Sequence, residues 1–190
     1  MKITLLGKAK GHRQAGRLNC YPGEVWGLNY ACLNRPMDKV FDMHDIFDSR
    51  IDNEHLVADY VNHVNAKKIP LITLRHYKRI PTSIAFPLDK MPVQYFNSSF
   101  DYMLAYAWWY GAYEVQMYGC KVIAGGSHAF CRPSMEFWIG FLTGKGIKVT
   151  VSPPSDLLTL QDRFAKPHDI IYGYNIKVPS LQIRPSAPAV

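Results

Sequence analysis

Glycines, cations and imidazoles fall in short runs along this chain, and several runs have the make-up of an anion site. Residues 7–16 hold Gly7, Gly11 and Gly16 together with Lys8, Lys10, His12 and Arg13. They lack the G-x-G-x-x-G order of a dinucleotide fingerprint, because positions 9 and 12 are Ala and His. What remains is a pliable basic loop, able to hold phosphate by charge and by backbone N–H groups. A solvated basic turn has the same composition. Asn97, Ser98 and Ser99 stand where a helix begins, so two hydroxyls join the unpaired amides and positive dipole end of a first turn. Plain N-capping accounts for the same residues. In the run Ser127, His128, Arg132, Glu136, Arg132 suits a bidentate grip on phosphate and His128 suits proton transfer near neutral pH. The alternative is an i, i+4 ion pair between Arg132 and Glu136. His44 stands beside Asp45, with Asp42 and Asp48 close by, and a carboxylate next to an imidazole can orient it as a base. No H-x-x-x-H pair or compact three-ligand cluster accompanies these residues, so neither a metal nor another cofactor is expected.

The elements that must carry these residues follow from periodicity. Short apolar runs predict strands at Ile3–Leu6, Glu24–Asn29, Lys39–Met43, Pro70–Leu74, Glu114–Tyr118 and Ile147–Val151. Leu56, Val57, Tyr60, Val61 and Val64 give residues 52–66 a helical spacing, with Asp52 or Asn53 as cap. Tyr30–Leu33 reads as the start of a helix. A second helix runs from Ser98, with Asp101 three residues on, to about Tyr113, and a third from Pro133 to about Thr143, stopped by Gly144 and Gly146. Pro81, Pro87 and Pro92 make residues 77–96 an irregular connection. Strands alternating with helices predict an α/β, Rossmann-like fold: a mostly parallel sheet of about six strands flanked by helices. In such sheets ligands bind beyond the carboxyl ends of the strands, where the polar runs above fall.

A length of 190 residues bounds the domain count near one. The expected division is a nucleotide-binding domain over 1–160 and an extended, proline-rich C-terminal arm over 161–190. A hydrophobic content of 48% against 19% charged residues excludes disorder for the bulk of the chain. The net charge of +7 favours a phosphate-bearing partner, and plain solubility is the other reading of the same charge. Cys20, Cys32, Cys120 and Cys131 form no C-x-x-C pair and read as reduced thiols of a cytoplasmic chain. The most apolar stretch, 102–113, is too short to span a bilayer, so no membrane partner is expected. The helix 98–113 is apolar on all sides (Phe100, Tyr102, Tyr106, Trp108, Trp109, Tyr110, Tyr113), which predicts a central helix or a homo-oligomer interface.

The order of motifs adds a resemblance. The Gly7 loop is followed by Trp26-Gly27-Leu28-Asn29, by Phe41 to His44, by Ser98-Ser99 with Tyr102-Met103, by a strand ending in Tyr118-Gly119, and by Arg132-Pro133-Ser134 with Glu136. This resembles a group of uncharacterised phage and prophage Rossmann-like proteins. More distantly it is similar to the bacterial lipooligosaccharide sialyltransferases, which use a CMP-linked sugar, and to the hydroxymethylpterin diphosphokinase-like proteins. The resemblance implies that Gly7, Asn29, Ser98 and Ser99 contact a nucleotide, and that His128 occupies the region of a catalytic histidine, behind a shorter connecting segment.

Three functions fit this sequence. The first is a transferase or hydrolase acting on a nucleotide-linked substrate. In it Gly7, Lys8, Arg13, Asn29, Ser98, Ser99, Arg132 and Glu136 bind the nucleotide or its phosphate, and His128 or His44 moves the proton. The second is a non-catalytic phage binder that sequesters a host nucleotide signal. The third is a DNA-associated or virion-assembly protein, the less favoured alternative, carried only by net charge and aromatic content.

Overall fold

The computed structural model describes residues 1–8, 23–48, 54–122, 128–152, 155 and 157–158. Seven strands form one sheet: β1 Lys2–Leu6, β2 Glu24–Leu28, β3 Lys39–Phe41, β4 Leu71–Thr73, β5 Ser83–Ala85, β6 Glu114–Tyr118 and β7 Lys148–Val151. They lie in the order β5-β4-β3-β2-β1-β6-β7, and every neighbouring pair is parallel. The helices are α1 Glu54–Lys67, α2 Ser99–Trp109 and α3 Arg132–Gly144, and a 3-10 helix, Asn29–Leu33, leads away from β2. The α/β architecture with a parallel sheet agrees with a Rossmann-like fold.

Side chains alternate across the sheet and divide the core in two. Ile3, Leu5, Trp26, Phe41, Ile72, Val115 and Met117 face α2 and α3, where they meet Met103, Leu104, Trp138 and Leu142. Leu6, Val25, Val40 and Leu71 face the opposite way, onto Tyr60, Val61 and Val64 of α1 and Cys32 of the 3-10 helix. The apolar surround of α2 is thus used within the chain. One side rests on the sheet, another on α3, where Trp108 meets Phe141 at 5.5 Å between ring centres, and Trp109 and Tyr110 emerge only at its end.

The structure departs from the sequence reading in three places. Among the described residues there are seven strands, against about six expected, because Ser83–Ala85 pairs with β4 inside the stretch expected to be irregular. Pro81 and Pro87 bracket it without entering it, and as an edge strand it needs partners on one side alone. The aromatic helix stops at Trp109 rather than near Tyr113. Gly111 takes φ +84, the left-handed turn that ends helices, and the chain reverses so that Tyr113 N–H can reach Met1 O at 2.9 Å. The segment Tyr30–Leu33 is a 3-10 helix and not the start of a longer one. Strand limits elsewhere shift by a residue or two. Arg13, Cys20, Asp52, Asn53, Ser127 and the arm 161–190 lie outside the described residues. Among the described residues no helix is long and apolar enough to cross a membrane.

Candidate functional site

From β1 the chain steps outward through β2, β3, β4 and β5, then returns to lay β6 against the other side of β1. This reversal makes the carboxyl ends of β1 and β6 the switch point of the sheet, the place where open α/β sheets bind ligands. Two glycines occupy it. Gly7 N–H donates to Tyr118 O at 2.7 Å. A Cβ on Gly7 would lie 2.2 Å from Gly119 O and 2.8 Å from Phe100 Cζ, and a Cβ on Gly119 would lie 2.9 Å from Gly7 O. Gly119 also has φ +68, which penalises any side chain. The backbones therefore touch at the switch point, with the first turn of α2 seated against them through Phe100.

The adjoining strand ends carry a polar group. Asn29 follows β2 with φ +43, a left-handed conformation that Asn tolerates better than most residues. Its side-chain amide lies 3.1 Å from His44 Nδ1. Asp42, directly after β3, is 2% exposed, and its Oδ1 lies 2.9 Å from His44 Nδ1 and 3.2 Å from His44 N. An ionised carboxylate only accepts, so the Asp42 contact puts the proton of the imidazole on Nδ1. A protonated Nδ1 has nothing to accept with, so in this tautomer the Asn29 amide, whose Nδ2 lies 3.1 Å away, is a neighbour of the ring and not its donor. The neutral ring then keeps its lone pair on Nε2, on a side chain that is 53% exposed. Below this group, burial followed by the Asp42 charge holds the Tyr60 phenol well above its usual range, and burial, with Asp42 adding to it, pushes the Cys32 thiol up to about 11. Cys32 is therefore a neutral packing residue, not a nucleophile. The Lys8 ammonium stands 5.5 Å from the centre of the Tyr30 ring, next to Asn29 in sequence, so Gly7, Lys8, Asn29 and His44 line one stretch of the edge.

The second stretch is built from the starts of α2 and α3. Ser98 caps α2: its Oγ accepts from Asp101 N–H at 3.3 Å, while Asp101 Oδ2 accepts from Asn97 N–H at 2.7 Å and Ser98 N–H at 2.8 Å. Burial pushes the Asp101 carboxyl above the usual carboxylate range, against these amides, which favour its charged form. Cys131 Sγ donates to Asn97 O at 3.1 Å and binds the two helix starts together. Arg132 Nε donates to Glu136 Oε1 at 2.9 Å, and the same oxygen accepts Leu158 N–H at 2.8 Å. Ser98, Arg132 and Glu136 are thus engaged in capping and in an i, i+4 pair. Ser99 is the first residue of α2. His128 is exposed and precedes a short 3-10 helix, Ala129–Cys131, where its carbonyl accepts Cys131 N–H at 3.0 Å.

No family model matches this chain, and neither does any curated protein or solved structure. The site is therefore read from its own geometry. Asn29 and His44 are in contact, Gly7 and Lys8 adjoin them, and Ser98, Ser99, Arg132 and Glu136 form a separate group joined to Gly7 through Phe100. Two surface cavities, of about 340 and 460 Å³, are lined by other residues. The orienting carboxylate is Asp42, two residues before His44, and not the adjacent Asp45, which pairs with Arg75 at 2.7 Å. The signal for this was available: Asp42 closes a buried strand, where a carboxylate must find donors. Gly119 was visible in sequence only as a strand end.

Proposed function

We propose that this chain binds a nucleotide or nucleotide-linked small molecule at the switch point, and that His44 serves as general acid and base in a transfer or hydrolysis reaction there. The observation that carries the reading is the coincidence of two features: the close-packed Gly7 and Gly119 backbones at the reversal of strand order, and the Asp42–His44–Asn29 group on the next strand ends. The paired glycines let the two strand ends close on one another and so fix the floor of the switch point. Lys8 supplies positive charge for a phosphate. His44 Nε2 takes a proton from an attacking hydroxyl or water, and Asp42 stabilises the imidazolium that forms. The same nitrogen then returns the proton to the leaving group. His128, exposed ahead of the 3-10 helix Ala129–Cys131, is the other imidazole that could move the proton.

The test is calorimetric titration of the full chain with nucleoside mono-, di- and triphosphates and nucleotide sugars, followed by product analysis by mass. Saturable binding of one class, with turnover lost in His44→Gln, supports the proposal. A ligand held tightly and returned intact supports the sequestering alternative. If none of these compounds binds, the nucleotide reading is wrong.

A further inference from the structure

A cavity of about 460 Å³ opens between the last two turns of α1 and the segment 32–37 that leads into β3. Arg35, His63 and Lys67 stand in its wall, and no carboxylate does among the described residues that line it. His63 and Lys67 are four residues apart on α1 and so share one face, while Arg35 approaches from the facing segment. Arg35 and Lys67 bring positive charge and His63 a ring N–H donor, and cations gathered around a cleft concentrate the opposite ion. Lys67 also lies in the last turn of α1, where the helix dipole favours a cation, and that explains one of the three residues without the others. The rest of the wall is apolar: Leu33, Met37 and Ile69. Cys32, with its thiol raised to about 11, contributes a neutral surface. Arg35 to Met37 precede β3 and Ile69 precedes β4, so the cavity opens at the amino ends of the strands, across the sheet from Gly7 and His44.

We propose that this cavity is a second binding site, for a small organic anion: a carboxylate or phosphate head met by Arg35, His63 and Lys67, on an apolar body resting against Leu33, Met37 and Ile69. The inference is independent of the nucleotide reading and uses different residues.

Phenyl phosphate, benzoate, inorganic phosphate and the neutral benzyl alcohol serve as probes, titrated into the isotope-labelled full chain and followed by amide NMR shifts. The aryl anions should bind saturably with Kd on the order of 1 mM, the range for ligands of this size. Shifts should centre on residues 32–37 and 63–69. Which anion binds more tightly tells a phosphate-type from a carboxylate-type ligand. Arg35→Gln and Lys67→Gln should each weaken binding about three- to tenfold, and added salt should weaken it in the unaltered chain, a readout that needs no variant. Benzyl alcohol binding as well as the anions, shifts confined to Gly7, Asn29 and His44, or no saturable shift at all would overturn the proposal.

Discussion

His44 is exposed enough to meet a ligand, yet its ring is fixed from behind by a carboxylate that is almost wholly buried. That division of labour makes Asp42 the more telling residue to alter. We expect Asp42→Asn to lower kcat on the nucleotide substrate by about 10²–10⁴-fold with KM little changed, because it removes the acceptor that fixes the tautomer. Steady-state kinetics check this, and a change in KM alone contradicts it. Asp101 carries a second expectation. The folded chain holds its proton more tightly than the unfolded chain, whose aspartate titrates near 3.8. Its contribution to stability is therefore fully present below that value and is lost as pH rises through the raised folded value. Denaturation midpoints of the wild type and Asp101→Asn, compared across this range, should show the wild type's relative stability falling as pH rises. A constant difference means that Asp101 does not titrate differently in the two states. Sequence order showed that an imidazole stood among carboxylates after β3. It did not show which carboxylate touched it, because neighbours in sequence at a strand end point to opposite sides and Asp42, not Asp45, shares the side of His44.

The strands set the distances between these groups. Gly7 and Gly119 each meet backbone where a Cβ would go, whereas Gly140 and Gly144 on α3 meet nothing within 4 Å. We expect Gly7→Ala and Gly119→Ala each to cost about 1–3 kcal/mol or more in unfolding free energy, through overpacking against main chain that cannot move aside. Gly140→Ala, on the outer face of a helix, should instead stabilise by about 0.5–1 kcal/mol. Urea denaturation of the three variants tests the contrast, and equal effects refute the close contact at the switch point. The helix starts were readable in advance, since Ser98 with Asp101 and Pro133 after Arg132 are local signals. The end of α2 was not, because aromatic residues continue past Gly111 and only the need to bring Tyr113 to Met1 decides where the helix stops. β5 was hidden for the opposite reason: its three residues are too few for a period, and pairing with β4 defines it.

The parallel sheet, with α1 on one face and α2 and α3 on the other, puts every strand's carboxyl end on one edge, where Gly7, Lys8 and Asn29 follow their strands, while Ser98, Ser99, Arg132 and Glu136 form the second group at the starts of α2 and α3. The net charge of +7 does not by itself distinguish a nucleotide from a polynucleotide. Salt does. A small nucleotide should show a shallow fall of log K with log salt, whereas a polynucleotide neutralising several cations gives a steep one. The most direct measurement is amide hydrogen exchange of the full chain with and without a saturating nucleotide of the class that binds. The account requires slowed exchange at Gly7–Lys8, around Asn29, at 42–44 and around Gly119, on both sides of the switch point. Protection that spares these strand ends and appears elsewhere would contradict it.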